Sequence, residues 1–259
     1  MTRSTSPSLD SSSPISTGHS RPAIRPAMDG AIALVGSGEY LPGMAEVEAA
    51  LLDDAVGRGK ARTYVQLPTA AGREGGKSLE YWRALGASQG ERIGVATTFL
   101  PVLTRADADD AALAAQIEGA GLVYLSGGDP RYLAQTLVGT RVGRAIESHW
   151  RSGGALAGCS AGAMVMGDAV TSFRLTGGEP TPALNLLPGL RVIPHYRRLF
   201  GWAFGAPPAG AVLLGIEEMT ALVRLSGGTE WRVMGAGAVH VLQGAPQGQY
   251  EPGEVVPIS

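Results

Sequence analysis

Ala155-Leu156-Ala157-Gly158-Cys159-Ser160-Ala161-Gly162-Ala163-Met164-Val165-Met166 is the stretch on which the reading of this chain turns. A short apolar run ends in small residues around a serine and passes directly into a helix-compatible segment. This is the pattern of a nucleophile elbow, in which a sharp strand-to-helix turn lifts a hydroxyl out of the backbone. The next backbone N–H and the start of the helix can then stabilise an oxyanion. Ser160 is therefore a candidate nucleophile, and the chemistry it suggests is hydrolysis through a covalent acyl intermediate. Cys159, one residue away, reads as a small buried hydrophobe.

Outward from the elbow the chain alternates. Apolar runs at 31–35, 63–67, 93–97 and 122–125 read as strands. Between them Met44, Val47, Leu51 and Ala55 recur at helical spacing, and 78–85, 107–117, 132–137 and 142–150 read as helices. Such alternation predicts an α/β fold with a mainly parallel sheet covered on both faces. Ligands of such sheets bind at the carboxyl ends of the strands. Gly36-Ser37-Gly38, Gly127-Gly128-Asp129 and Ser160 all fall at such ends. Beyond Gly189, short runs at 190–193, 212–216, 221–225, 231–234 and 238–242 predict strands that extend the sheet or form a small antiparallel layer.

The bulk properties bound the partners. A chain of 259 residues can bury a full core in one domain. A net charge of −2 gives no footprint for nucleic acid or an anionic membrane. One cysteine excludes an intrachain disulfide framework and fits a reducing cytoplasm. Residues 1–28, dense in Ser, Thr and Pro, are expected to be a disordered tail ahead of a single domain over 29–259. The tail lacks the apolar core of a secretory signal, and with Met28 just before the first strand it reads as an extended start or leader. No later run is apolar for long enough to cross a membrane.

A serine nucleophile needs a base, and the base needs an orienting acid. Of the four histidines, His19 lies in the tail and His149 shares a helical stripe with Val142 and Ile146, as a packing or surface residue would. His195 follows Val192-Ile193-Pro194 at the end of an apolar run, where a base belongs in this architecture. His240 sits inside the run Ala238–Leu242, which favours a structural role. Gly215-Ile216-Glu217-Glu218-Met219-Thr220 puts two carboxylates just past a strand. Neighbours on an extended segment point opposite ways, so one of the two faces inward; spacing does not choose between them. Gly127 and Gly128 offer backbone N–H groups close to a reacting carbonyl. Gly36-Ser37-Gly38-Glu39 lacks the spacing of a phosphate-binding fingerprint. No metal-ligand spacing is present, and neither metal nor cofactor is expected.

Taken together, Ser126-Gly127-Gly128-Asp129, Gly158 to Ala163, Ala183-Leu184-Asn185-Leu186 running to Pro194-His195-Tyr196, and Gly215 to Leu222 form an ordered set. That set resembles the aspartyl dipeptidase (dipeptidase E) and cyanophycinase family of serine peptidases, from Gly30 onward. The resemblance implies a three-layer α/β sandwich like the class I glutamine amidotransferases (flavodoxin-like), with serine in place of their cysteine and a small antiparallel C-terminal part. It implies a triad of Ser160, His195 and Glu218, the family's acid taking the second acidic position, with Gly128 and Ala161 as oxyanion donors. It further implies a small peptide substrate cut beside an aspartyl residue, as in Asp-X dipeptides or the β-Asp-Arg links of cyanophycin, and it is compatible with a homodimer. Arg197 and Arg198, just past His195, are placed to help bind a carboxylate. Pro130 stands where cyanophycinases often carry glutamine. Two other readings stay open: an α/β-hydrolase esterase in the chain order Ser160, Glu218, His240, and a non-catalytic member that binds a small ligand in the same cleft.

Overall fold

The computed structural model describes Met1 and residues 29–170, 179–196 and 209–258. Residues 2–28, with the expected tail and His19, and also Arg197 and Arg198, lie outside the described residues.

The first half is built of β1 (Ile32–Val35), α1 (Ala45–Gly57), β2 (Thr63–Leu67), α2 (Gly76–Arg92), β3 (Ala96–Phe99), α3 (Arg105–Ala108), α4 (Ala111–Ala115) and β4 (Leu122–Leu125). There follow α5 (Pro130–Leu137), α6 (Arg141–Arg151), β5 (Ala155–Cys159) and α7 (Ala161–Val165), with a short ribbon of β6 (Ala169–Val170) and β7 (Thr181–Pro182). The C-terminal part consists of β8 (Leu190–Ile193), β9 (Val212–Ile216), β10 (Thr220–Arg224), β11 (Trp231–Gly235), β12 (Val239–Gln243), β13 (Gly248–Tyr250) and β14 (Val255–Val256). An eight-stranded sheet runs in the order β14-β11-β10-β1-β5-β4-β2-β3. Its strands from β1 to β3 are parallel, while β10, β11 and β14 continue it antiparallel. A second sheet of four strands, β13-β12-β9-β8, stands apart. The C-terminal runs thus extend the main sheet and also form a layer of their own, which is antiparallel as expected except that β8 and β9 pair parallel.

Strand period two divides the core. Ile32, Leu34, Val65, Leu67, Val123, Leu125 and Leu156 point to one face, where α5, α6, α7 and the second sheet cover them. Ala33, Val35, Tyr64, Leu122, Tyr124, Ala157 and Cys159 point to the other, under α1. The central strands β1, β4 and β5 are buried on both faces, as continuous apolar strands require, while β3 at the edge and β11 are partly exposed. Each fully buried aliphatic side chain contributes about 1.5–3 kcal/mol.

Two expectations shift. The third strand begins at Ala96 rather than at 93, because α2 runs on to Arg92 and Gly94 reverses the chain at φ +67°. The helix expected over 107–117 is two short helices. Asp107 completes a capping box with Thr104 at the start of α3, and Asp110 caps α4 by accepting from the N–H groups of Ala112 and Leu113. Asp107 and Asp110 thus serve two separate helix starts.

On the α1 face lies a buried polar cluster. Glu48 of α1 is 1% exposed and accepts from the Tyr64 hydroxyl at 2.9 Å. Tyr40, Tyr64 and Tyr124 surround it with ring centroids 5.0–6.2 Å apart. Burial pushes the Glu48 carboxyl up from 4.5 to about 7, against the hydrogen bond from Tyr64, which works the other way. The folded state therefore holds this proton more tightly than the unfolded chain. Stability tied to it is full below pH 4.5 and is lost as pH rises toward 7. Glu48→Gln removes that loss. We expect its stability advantage over the wild type, measured by urea unfolding, to grow between pH 5 and 8 toward at most about 3 kcal/mol. An advantage independent of pH would contradict a buried, proton-holding Glu48.

Candidate active site

Ser160 sits between the last residue of β5 and the first of α7, at φ 51° and ψ −108°. A serine in this region is strained, at a cost on the order of 1–3 kcal/mol, and such strain persists only where the surroundings impose it. Its N–H is held by the Val35 carbonyl at 2.9 Å, and its carbonyl caps the turn from Met164 at 3.0 Å. The small neighbours are a steric requirement. A Cβ on Gly162 would come within 2.2 Å of the Leu125 carbonyl oxygen, and one on Gly158 within 2.5 Å of the Gly162 backbone. The strand and helix approach so closely that only glycine fits.

His195 lies two residues past β8 and Glu218 two residues past β9, both on the second sheet. The second sheet thus delivers the histidine and the acid to a serine carried by the first. His195 Nε2 is 3.0 Å from Ser160 Oγ, and its Nδ1 is 3.0 Å from Glu218 Oε1. With Glu218 ionised, Nδ1–H donates to the carboxylate and Nε2 is left as the acceptor for the serine hydroxyl. The His195 and Glu218 side chains are 51% and 49% exposed, so both are open to solvent. The other Glu218 oxygen, Oε2, accepts from the Ser37 hydroxyl, whose oxygen in turn accepts from the Met219 N–H at 3.3 Å. His195 and Met219 are themselves at φ 51° and 53°.

The Gly127-Gly128-Asp129 turn lies next to the serine. Gly128 takes φ +136°, and a Cβ there would strike the Ala70 carbonyl at 2.6 Å. Asp129 caps α5 by accepting from the N–H groups of Arg131 and Tyr132, with Pro130 as the first helical residue, where its missing N–H costs nothing. Gly127 was a candidate donor to an oxyanion, but its N–H is committed to Glu39 Oε1 at 2.9 Å. The Ala161 N–H, first in α7, has no intrahelical acceptor within reach.

Glu39 is a residue that sequence reasoning passed over. It is 8% exposed, and its second oxygen accepts from the Cys159 thiol at 2.8 Å. Cys159 is buried as expected. Burial, with the Glu39 charge adding to it, pushes its thiol well above the ordinary range, which keeps it protonated and unreactive. Ser37 was likewise read only as part of a weak glycine turn. The one signal that could have found both is their place just past β1, at the same sheet end as Ser160.

The remaining histidines are elsewhere. His149 is buried, with Nε2 2.9 Å from the Ala155 carbonyl, and burial drives its pKa down to about 4. His240, on β12, bonds Glu217 Oε1 through Nε2 at 2.7 Å, not Ser160. Burial works to raise the Glu217 pKa, but the bonds from His240 and the Ala238 N–H outweigh it and hold the carboxyl below its usual range. The two adjacent glutamates thus face different histidines. Among the described residues no group of three or more His, Cys, Asp or Glu side chains could hold a metal ion, and no helix is long and apolar enough to cross a membrane.

Comparison with known proteins identifies the family. The model of peptidase family S51 matches residues 32–223. Cyanophycinases from Trichormus variabilis and from a Nostoc species are each 29% identical over 202 residues, covering 71% of this chain and 64% of their own length. The chain thus spans a little under two thirds of these relatives. The crystal structure of a peptidase from an acI-B1 actinobacterium is 43% identical, covers 90% of this chain and 99% of its own, and superposes with a TM-score of 0.84. A peptidase E candidate from Listeria monocytogenes EGD-e shares the fold at 19% identity and a TM-score of 0.57, over 81% of this chain and all of its own. The chain belongs to peptidase family S51, a family of serine peptidases.

Proposed function

We propose that this chain hydrolyses a small peptide or isopeptide beside an aspartyl residue, with Ser160 as nucleophile, His195 as general base and acid, and Glu218 as the orienting acid. The observation that carries the reading is the unbroken hydrogen-bond chain from Glu218 through His195 to Ser160, at 3.0 Å and 3.0 Å, ending on a serine in a strained elbow. In the first half-reaction Ser160 Oγ attacks the scissile carbonyl while His195 Nε2 takes its proton. The N–H groups of Gly128 and Ala161 stabilise the developing oxyanion, and Gly127 supports the turn through Glu39 instead. His195 then protonates the leaving amine. Water, activated by the same nitrogen, attacks the acyl-enzyme and releases the second product. Glu218 holds the imidazole in the tautomer this cycle needs. No step calls for a metal or cofactor.

The aspartyl preference rests on family membership and on the cyanophycinase relatives. The esterase order Ser160, Glu218, His240 is disfavoured because His240 is paired with Glu217. A panel of Asp-X and isoAsp-X dipeptides, a β-Asp-Arg dipeptide, cyanophycin and simple esters, followed by product release, tests the substrate class. We expect cleavage of at least one aspartyl amide and discrimination against the matching Asn and Ala compounds. Ester cleavage alone would overturn the aspartyl assignment. Inertness across the panel would favour a ligand-binding role.

A further inference from the structure

Resting on that triad, we propose that Tyr196, His240 and Glu217 form a brace that positions His195, making His240 and Glu217 positioning residues for the reaction. The need for a brace comes from the backbone. His195 is a non-glycine residue at φ 51°, a conformation it leaves unless its neighbours hold it. Two backbone bonds hold it directly: its own N–H to the Gly36 carbonyl at 3.3 Å, and the Tyr196 N–H to the Ile216 carbonyl at 2.9 Å. The first is long, so much of the constraint falls on Tyr196.

Tyr196 is 7% exposed, and its ring lies on Gly215, where a Cβ would meet the ring at 2.5 Å. Its next wall is the His240 imidazole, with centroids 4.7 Å apart and the planes tilted by 47°. His240 is fixed in turn by Glu217 Oε1 at 2.7 Å, and Glu217 is fixed by the Ala238 N–H at 3.0 Å. Glu217 is chain neighbour to Glu218. The same pair therefore steadies both arms that the second sheet sends to Ser160: the β8 arm through the Tyr196 ring and the β9 arm through the backbone of the glutamate turn. An acid–histidine pair that never touches Ser160 is explained by this role.

The brace acts on geometry, so its loss slows chemistry without weakening substrate binding. His240→Asn and His240→Gln separate this from a general packing effect. Both side chains are polar amides, but only glutamine carries its N–H to the place of Nε2, within reach of Glu217. We expect His240→Asn to lower kcat by roughly 10- to 100-fold with KM within about twofold, the scale of a small misplacement of reacting groups. We expect His240→Gln to stay within about threefold of wild type by the same reasoning. The rate of Ser160 labelling by a fluorophosphonate should fall and recover in parallel. Asn and Gln variants that behave alike, or an Asn variant that changes KM rather than kcat, would overturn the brace. Ser160→Ala assayed beside them keeps the two ideas apart. Turnover surviving in that variant would sink the triad itself, whereas a brace failure leaves Ser160→Ala dead and the triad standing.

Discussion

Ser160→Ala is expected to remove turnover, lowering kcat by about 10⁴-fold or more, while the protein stays folded. The loss is large because the hydroxyl is the group that forms the bond to the substrate. What remains is whatever the N–H groups of Gly128 and Ala161 can do for a water that takes its place. The fold should survive because the serine side chain is only half-buried and its hydroxyl bonds the exposed His195. The elbow is held by backbone bonds, from Val35 to the Ser160 N–H and from Met164 to its carbonyl, and by the close fit of Gly158 and Gly162. Alanine adopts the same strained φ no more easily and no less, so the change in unfolding free energy should stay within about 1 kcal/mol. Steady-state kinetics with the best aspartyl substrate from the panel, paired with thermal unfolding, reads both halves. A variant that keeps a substantial fraction of wild-type kcat would show that Ser160 is not the nucleophile.

His195→Ala is expected to cost nearly as much, on the order of 10⁴-fold in kcat, and the double variant with Ser160→Ala should be no worse than either alone. Residues that act as one unit are not additive: without the base the hydroxyl stays protonated, and without the hydroxyl the base has nothing to activate. Glu218→Gln should be milder, about 10²- to 10⁴-fold, because an amide presents its N–H as well as its oxygen to Nδ1 and so favours the wrong tautomer without emptying the site. Ser37 bonds the same carboxylate and helps hold that acid in place. Full additivity in the double variant would mean that Ser160 and His195 serve separate steps. An inert Glu218 substitution would pass the role of acid to another group.

Much of this was legible in the sequence because the decisive signals are local. The elbow needs small residues at fixed positions around one serine, and the pattern at Gly158–Gly162 states this directly. Strand period and helix period located β1, β2, β4 and β5 to within a residue or two. His195 followed from its place just past an apolar run. Other features are set by contacts between distant parts of the chain. Nothing in the runs at 212–216 and 221–225 tells that β9 joins the second sheet while β10 joins the first. That is decided by pairing with β8 and β12 on one side and with β1 and β11 on the other. The choice between Glu217 and Glu218 is of the same kind. Alternation says that the two point apart, but which one meets His195 depends on where His240 lies, on a later strand. Ser37 and Glu39 were unreadable for a related reason: their partners Glu218 and Cys159 are 181 and 120 residues away in the chain. The bond from the Gly127 N–H to that same distant Glu39 was unreadable for the same reason.

The arrangement also explains why the C-terminal strands matter to chemistry on a parallel sheet. In the proposed mechanism Ser160 and the N–H groups of Gly128 and Ala161 follow strands of the first sheet, and His195 and Glu218 follow strands of the second. Arg191 on β8 bonds Asp168, just past α7, at 2.9 Å with the arginine side chain only 8% exposed, so the two parts are tied close to the elbow. The site exists only when both sheets are docked.

The central claim is that His195, and not His240, activates Ser160. It is tested most directly by treating the wild type, His195→Ala and His240→Gln with a fluorophosphonate probe and mapping the modified residue by peptide mass spectrometry. The account predicts one adduct, on Ser160, in the wild type and in His240→Gln, and none in His195→Ala over the same time. An adduct on another residue, or labelling of Ser160 that survives the loss of His195 and disappears with the change at His240, would contradict it.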